Sequence, residues 1–315
     1  MGSSGTPMTI YFAQSCSRIR TRGKVTTQHL LKYNLYPWTY ILISVLIVVM
    51  SACESSQPIK QVDRVVLIQG VCSSTELSSN PTAWTNNIKR LLVKDFGLTD
   101  MPTGHPDDQV IEFGYSEDGW DSNYLPADTL NSVQESSAAL RDIYSAYPDS
   151  RIFIIGHSLG GIVALDGLAR YSNSENRMKS RTAGLITVSS PVNGLSELAV
   201  DIARIAIELV ACGIEPSLAQ YPSPVWADLR EIGDSISLIR ESRWDDVRVV
   251  NFANKADRVV DWQNAILMTH FEVSCYNTRS TNFFDGNHDT LLVNTELSQE
   301  LLDVLLKEDI QRYSC

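Results

Sequence analysis

The chain has 315 residues, 43% of them hydrophobic and 20% charged, enough for a sizeable core in one larger α/β domain and far from a disordered composition. Charge is unevenly placed: residues 1–52 hold Arg18, Arg20, Arg22, Lys24 and Lys32 and no acid, so that of the total of −11 the remainder carries −16. A main domain so acidic repels phosphate backbones, which argues against a nucleic-acid partner.

The leader comes first in chain order. No charge lies between Tyr33 and Cys53, and the run YILISVLIVVMSAC is almost wholly apolar. A basic segment, an apolar run near the ~20 residues of a bilayer span, and small residues before a cysteine describe an export signal or a signal anchor. Met50-Ser51-Ala52-Cys53 resembles the lipobox of bacterial lipoproteins, which implies cleavage before Cys53 and a lipid on its sulfur. Both versions put the basic end in the cytoplasm and the main domain outside, by the positive-inside rule. A myristoylation pattern in MGSSGT and an organelle transit peptide are weaker readings, because neither accounts for the apolar run. The expected organisation is a leader over residues 1–53, a polar linker over 54–61 and one folded domain over 62–315.

RVVLIQG (Arg64 to Gly70) then reads as a buried strand, a short β-branched run ended by glycine. Pro81 to Lys94 follows as a helix, Gln109 to Phe113 as a strand, and Leu130 to Tyr147 as a helix with Leu130, Val133, Leu140, Ile143 and Tyr147 on one face. RIFII, LGGIVALDGLARY and AGLITVSS continue as strand, helix and strand. VRVVNFA (Val247 to Ala253), the weaker FEVSCY and an amphipathic helix around Leu297 to Leu306 complete the alternation. Strands alternating with helices predict an α/β fold with a mainly parallel sheet covered on both faces. Six cysteines, Cys16, Cys53, Cys72, Cys212, Cys275 and Cys315, include no C-x-x-C spacing. With no histidine cluster either, neither a metal nor any other cofactor is expected. With Cys53 lipidated, four exported cysteines allow two disulfides in three connectivities.

Gly156-His157-Ser158-Leu159-Gly160 stands between a predicted strand and a predicted helix, the setting of a G-x-S-x-G nucleophile elbow. A serine hydroxyl needs a base to take its proton and an acid to orient that base. In this arrangement the order along the chain is serine, acid, histidine. Asp257 follows the strand VRVVNFA, and His288 sits in the loop GNHDTLL before the last helix, so both fall at the sheet edge that carries Ser158. Taken singly, Asp257 is a turn former and His288 a surface or capping residue; in order and in register they form a triad. His270 is the reserve base and Asp201 the reserve acid, and His157 reads as support for the turn. The oxyanion of a tetrahedral intermediate needs donors, and the backbone N–H groups of Leu159 and Val71 are the candidates.

GHSLGG, LIQGV, VSSP, NKADRVV and GNHDTLL together resemble the α/β-hydrolase superfamily, especially its lipase and esterase branch, which includes the GPI inositol deacylase-like lipases. The resemblance spans roughly residues 62–308. It implies an α/β-hydrolase fold, a serine hydrolase acting on lipid or acyl carboxylic esters through an acyl-enzyme, and a helical cap inserted at about residues 194–245. Gln69-Gly70 stands where the family usually has His-Gly, and the short linker leaves little chain for the fold's usual first hairpin. Thioesterase, amidase and acyltransferase chemistry use the same apparatus, and a catalytically silent surface-binding module is the alternative from another class. LSELAVDIARIAIELVACGI (Leu195 to Ile214) carries a wide apolar stripe, so Ile205 and Leu209 are expected to line an acyl pocket.

Overall fold

A computed structural model describes residues 63–71, 84–101, 105–115, 126–172, 177–206, 223–266, 272–276, 288 and 300. The leader with Cys53, the segment with Ile207 to Leu209, and the C-terminal helix lie outside them. Among the described residues no helix is long and apolar enough to cross a membrane.

Among the described residues six strands form one parallel sheet: β1 (Arg64–Ile68), β2 (Val110–Glu112), β3 (Ile152–His157), β4 (Thr182–Val188), β5 (Val249–Asn254) and β6 (Glu272–Tyr276), in the order β2-β1-β3-β4-β5-β6. All five pairings are parallel, as expected of strands that are apolar on both sides rather than alternating. The elements between them are α1 (Trp84–Phe96), a 3-10 turn (Pro126–Leu130), α2 (Val133–Ala146), α3 (Leu159–Arg170), α4 (Met178–Arg181), α5 (Glu197–Ala206), α6 (Pro224–Asp228) and α7 (Asp234–Glu241).

The two faces of the sheet are two cores. Val65 and Leu67 of β1, Phe153 and Ile155 of β3 and Phe252 of β5 pack with Ile88 and Leu92 of α1. Their alternates Val66, Ile68, Ile152 and Ile154 pack with α2, α3 and α7 on the other side. The period of two thus sorts each strand's side chains between two helical layers. Helix α2 begins at Val133 rather than Leu130 because Ser132 caps it. The Glu135 N–H donates to Ser132 Oγ at 3.2 Å, the Ser132 N–H donates to Glu135 Oε2 at 3.0 Å, and Leu130 closes the preceding 3-10 turn.

The segment expected as a cap divides in two. From Pro224 onward it is part of the body: Val225, Ile236 and Ile239 are fully buried in the core that holds α3. Baring two such isoleucines costs about 3–6 kcal/mol, so α7 is a fixed cover of the sheet and not a lid that lifts. Helix α5 is different in kind, with Val200 buried and Leu198 71% exposed.

The strand order reverses direction at β1, between β2 and β3. In an open parallel sheet that switch point opens a crevice at the C-terminal ends of the strands, here the ends of β1 and β3 where Gly70 and Ser158 stand.

Candidate active site

Ser158 joins β3 to α3 with φ 52° and ψ −122°, a conformation an L-residue holds at a cost of about 1–3 kcal/mol. The sharp turn is possible because the residues two positions to either side, Gly156 and Gly160, lack side chains. A Cβ on Gly156 would fall 2.6 Å from the Gly161 nitrogen, and one on Gly160 would fall 2.3 Å from the Ile68 carbonyl oxygen. With both absent, the first turn of α3 presses on the end of β1. The Ser158 N–H donates to the Val188 carbonyl at 2.9 Å, tying the turn to β4.

Asp257 follows β5 in a tight turn of its own making. Its Oδ1 accepts the N–H groups of Val259 (2.8 Å) and Val260 (3.0 Å), and its Oδ2 meets Nδ1 of His288 at 2.8 Å. Burial alone would raise this carboxyl's pKa. The His288 ring and its hydrogen bond, then the Val260 and Val259 N–H groups, outweigh burial and hold it below the ordinary carboxylate range. An ionised Asp257 only accepts, so Nδ1 carries the proton in this pair and Nε2 of a neutral His288 is the basic nitrogen. The structure therefore brings Asp257 and His288 together directly, thirty-one positions apart in sequence.

His288 reaches the elbow through His157, whose ring centroid lies 4.9 Å from its own at an interplanar angle of 44°. His157 is 3% exposed. The sequence offered it only as a turn residue; the signal that would have found it is a titratable side chain on the inward register of a central strand. Leu159 is the first residue of α3, where helix geometry leaves N–H groups without an intrahelical carbonyl. Val71 stands in the turn after β1, partly buried against the core. That turn is pinned by the Tyr115 hydroxyl, which donates to the Gln69 carbonyl, and it lies close enough that a Cβ on Gly70 would be 3.0 Å from Ser158 Cβ. Asp201 is exposed on α5, and His105 lies in the loop before β2, at the opposite edge of the sheet. His270, Asp285 and Asp289 fall outside the described residues, as does Cys72. Cys275 of β6 is disulfide-bonded.

A polar, open groove of about 670 Å³ lies at the N-terminal ends of β1 and β2, with Arg64, Met101, Asp107 and Ser150 in its wall. It is at the wrong end of the strands to serve Ser158, and its arginine is engaged by Ser150 Oγ at 2.5 Å. Among the described residues no group of His, Cys, Asp and Glu side chains is disposed to hold a metal ion.

The chain has the α/β-hydrolase fold: a parallel sheet wrapped in helices, with a strained serine between a central strand and the helix after it. Residues 65–211, a little under half of the chain, match the class 3 lipase family. The match takes in β1 through the elbow to α5 and stops short of Asp257 and His288. No curated protein sequence matches the chain. Among solved structures it is similar to the product of gene lin2722 from Listeria innocua (12% identity, 80% of this chain and 97% of that one, TM-score 0.46). It is likewise similar to a monoacylglycerol lipase of Paleococcus ferrophilus (11%, 77% and 93%, TM-score 0.44). A third similar structure is the mature lipase BlEst2 of Bacillus licheniformis (12%, 81% and 95%, TM-score 0.45).

The electrostatics of His157 give a first expected result. Burial, then the neighbouring His288, hold its pKa well below 6.5, against the pull of Asp257 and of the His288 main chain. The folded ring thus stays neutral where the unfolded one takes a proton. The unfolded state binds more protons below about pH 6.5, so stability is complete above that pH and falls on acidification by up to ~1.4 kcal/mol per pH unit. Asp257, with its lowered pKa, adds its own loss only below its unfolded value near 3.8. Urea unfolding at pH 7.5 and 5.0 should show a decline in the wild type that is shallower in His157→Gln. Equal declines in the two proteins would mean that the ring is not kept neutral.

Proposed function

We propose that this protein is a serine ester hydrolase that cleaves lipid or acyl carboxylic esters through an acyl-enzyme. The observation that carries this reading is the 2.8 Å bond between Asp257 and His288, whose ring lies 4.9 Å from that of His157, the residue before a serine with φ 52°. His288 Nε2 takes the proton as Ser158 Oγ attacks the ester carbonyl carbon. The resulting oxyanion accepts from the N–H groups of Leu159 and Val71. Collapse breaks the acyl–oxygen bond, and His288 returns the proton to the departing alkoxide, releasing the alcohol. Water then attacks the acyl-enzyme with His288 again as base, freeing the acid and restoring the serine.

The same reading puts the enzyme outside the cytoplasm, tethered to a membrane by an uncleaved leader or a lipid on Cys53. The acid-free basic leader, the apolar run and the lipobox-like MSAC support it, and so does the disulfide at Cys275, since disulfides persist in oxidising compartments. Helix α5, with Leu198 exposed, and the segment after it that holds Leu209 form the cap over the acyl chain in this scheme.

The test joins labelling to a chain-length series. A fluorophosphonate should label the wild type stoichiometrically, and p-nitrophenyl esters should be cleaved with kcat/KM rising from acetate to octanoate. Each buried CH₂ contributes up to ~0.8 kcal/mol, about fourfold in rate. A protein that takes no label and cleaves none of the esters would be a binding module, and the proposal would fail. Preference for acetate would remove the lipid part alone.

A further inference from the structure

We infer that His157 is a positioning residue: a second, buried imidazole that sets the height and tilt of His288 against the nucleophile elbow. The inference deepens the esterase reading above and rests on it. His288 comes from a loop beyond the last strand of the sheet. Its bond to Asp257, at 2.8 Å, fixes Nδ1, and the tilt of the ring depends on what packs against its face. A base must be held within about 0.5 Å and 10–20° of its working geometry, and an error of about 1 Å costs on the order of 10²-fold in rate.

His157 is placed to set that tilt. It is the last residue of β3, which is paired on one side with β1 and on the other with β4, so its backbone sits on the stiffest part of the sheet. Strand alternation puts its side chain on the face of Phe153 and Ile155. There its ring lies 4.9 Å from that of His288 at an interplanar angle of 44°. It thus packs against the ring of the residue it positions, while Asp257 holds Nδ1. On its far side the ring is backed by Gly70, where an added Cβ would lie 3.2 Å from His157 Nδ1. His157 and Ser158 are consecutive, so the nucleophile and the brace on its base are borne by one rigid turn. Burial, aided by His288, keeps His157 uncharged, so the brace does not repel the imidazolium that forms on His288 during the reaction. A phenyl ring at this position keeps the packing face; a carboxamide offers a smaller one.

The full-length enzyme is compared as wild type, His157→Phe, His157→Asn, His157→Gln, Ser158→Ala and His288→Ala. Active sites are titrated with a fluorophosphonate so that rates refer to competent molecules, and Tm is measured for each. In His157→Asn and His157→Gln, kcat should fall about 10- to 100-fold with KM within about twofold, and labelling of Ser158 should slow by a similar factor. Acylation and deacylation use the same base, so both steps slow together. His157→Phe should recover most of the loss. A kcat within about twofold of wild type in His157→Asn overturns the inference, as does a loss that appears in KM instead. So does an equal fall in all three His157 variants that follows Tm. Should Ser158→Ala and His288→Ala keep wild-type turnover, the esterase reading itself fails and takes the role of His157 with it.

Discussion

Ser158→Ala should lower ester turnover by at least about four orders of magnitude while leaving the fold and its stability unchanged. The hydroxyl is the attacking group in the proposed reaction. Its carbon frame asks nothing more of the turn than alanine supplies, since both are L-residues with a Cβ and both meet the same cost at φ 52°. Ser158→Gly separates strain from chemistry. Glycine occupies positive φ freely, which relieves about 1–3 kcal/mol, and loses about 0.5–1 kcal/mol to the greater freedom of its unfolded chain. The glycine variant should therefore be as inactive as the alanine variant and more stable by about 1 kcal/mol, seen as a higher urea midpoint. Turnover above about 1% of wild type in Ser158→Ala would remove Ser158 as nucleophile. Failure of Ser158→Gly to gain stability would mean that the turn stores no strain.

Much of this architecture is legible in the residue pattern because the governing interactions are local or periodic. Ile152 to Ile155 and Val249 to Val250 are β-branched or aromatic runs too short for a helix, and each became a strand of the parallel sheet. The elbow was legible because its glycines are a steric necessity: the spaces a Cβ would fill at Gly156 and Gly160 are held by backbone atoms. The contact between Asp257 and His288 could be anticipated from strand order alone, since each follows an element that delivers it to the same sheet edge.

What escaped the sequence depended on which surface an element meets. The resemblance set α7 within a cap over residues 194–245, and only its contact with α3 places it in the core instead. The start of α2 moved three residues because Ser132 and Glu135 satisfy each other's backbone, a local chemical detail finer than the hydrophobic period. His157 was read as a turn residue because its neighbour in space, His288, is 131 positions away and no periodicity links the two.

Asp257→Asn carries the second large effect, and it tests the orienting bond rather than the nucleophile. Asparagine keeps the oxygen that accepts from Val259 and Val260, so the turn after β5 should survive. The group facing His288 Nδ1, however, becomes an amide that donates. Nδ1 must then accept, the proton moves to Nε2, and the nitrogen that should receive the Ser158 proton is blocked. At neutral pH kcat should drop about 10⁴-fold with little change in KM, because the defect is in the base and not in the acyl site. The stability profile should change as well. Asp257 ionises more readily folded than unfolded, so its contribution is present above the unfolded value near pH 3.8 and lost as pH falls through the lower folded value. The asparagine variant lacks that contribution at neutral pH and should be less sensitive to acid below about pH 4. Urea unfolding at pH 7 and pH 3, with single-turnover kinetics at pH 7, reads both effects on one pair of proteins. A loss of less than about tenfold in kcat would show that Asp257 does not orient the base, and would leave its bond with His288 as a means of holding the loop.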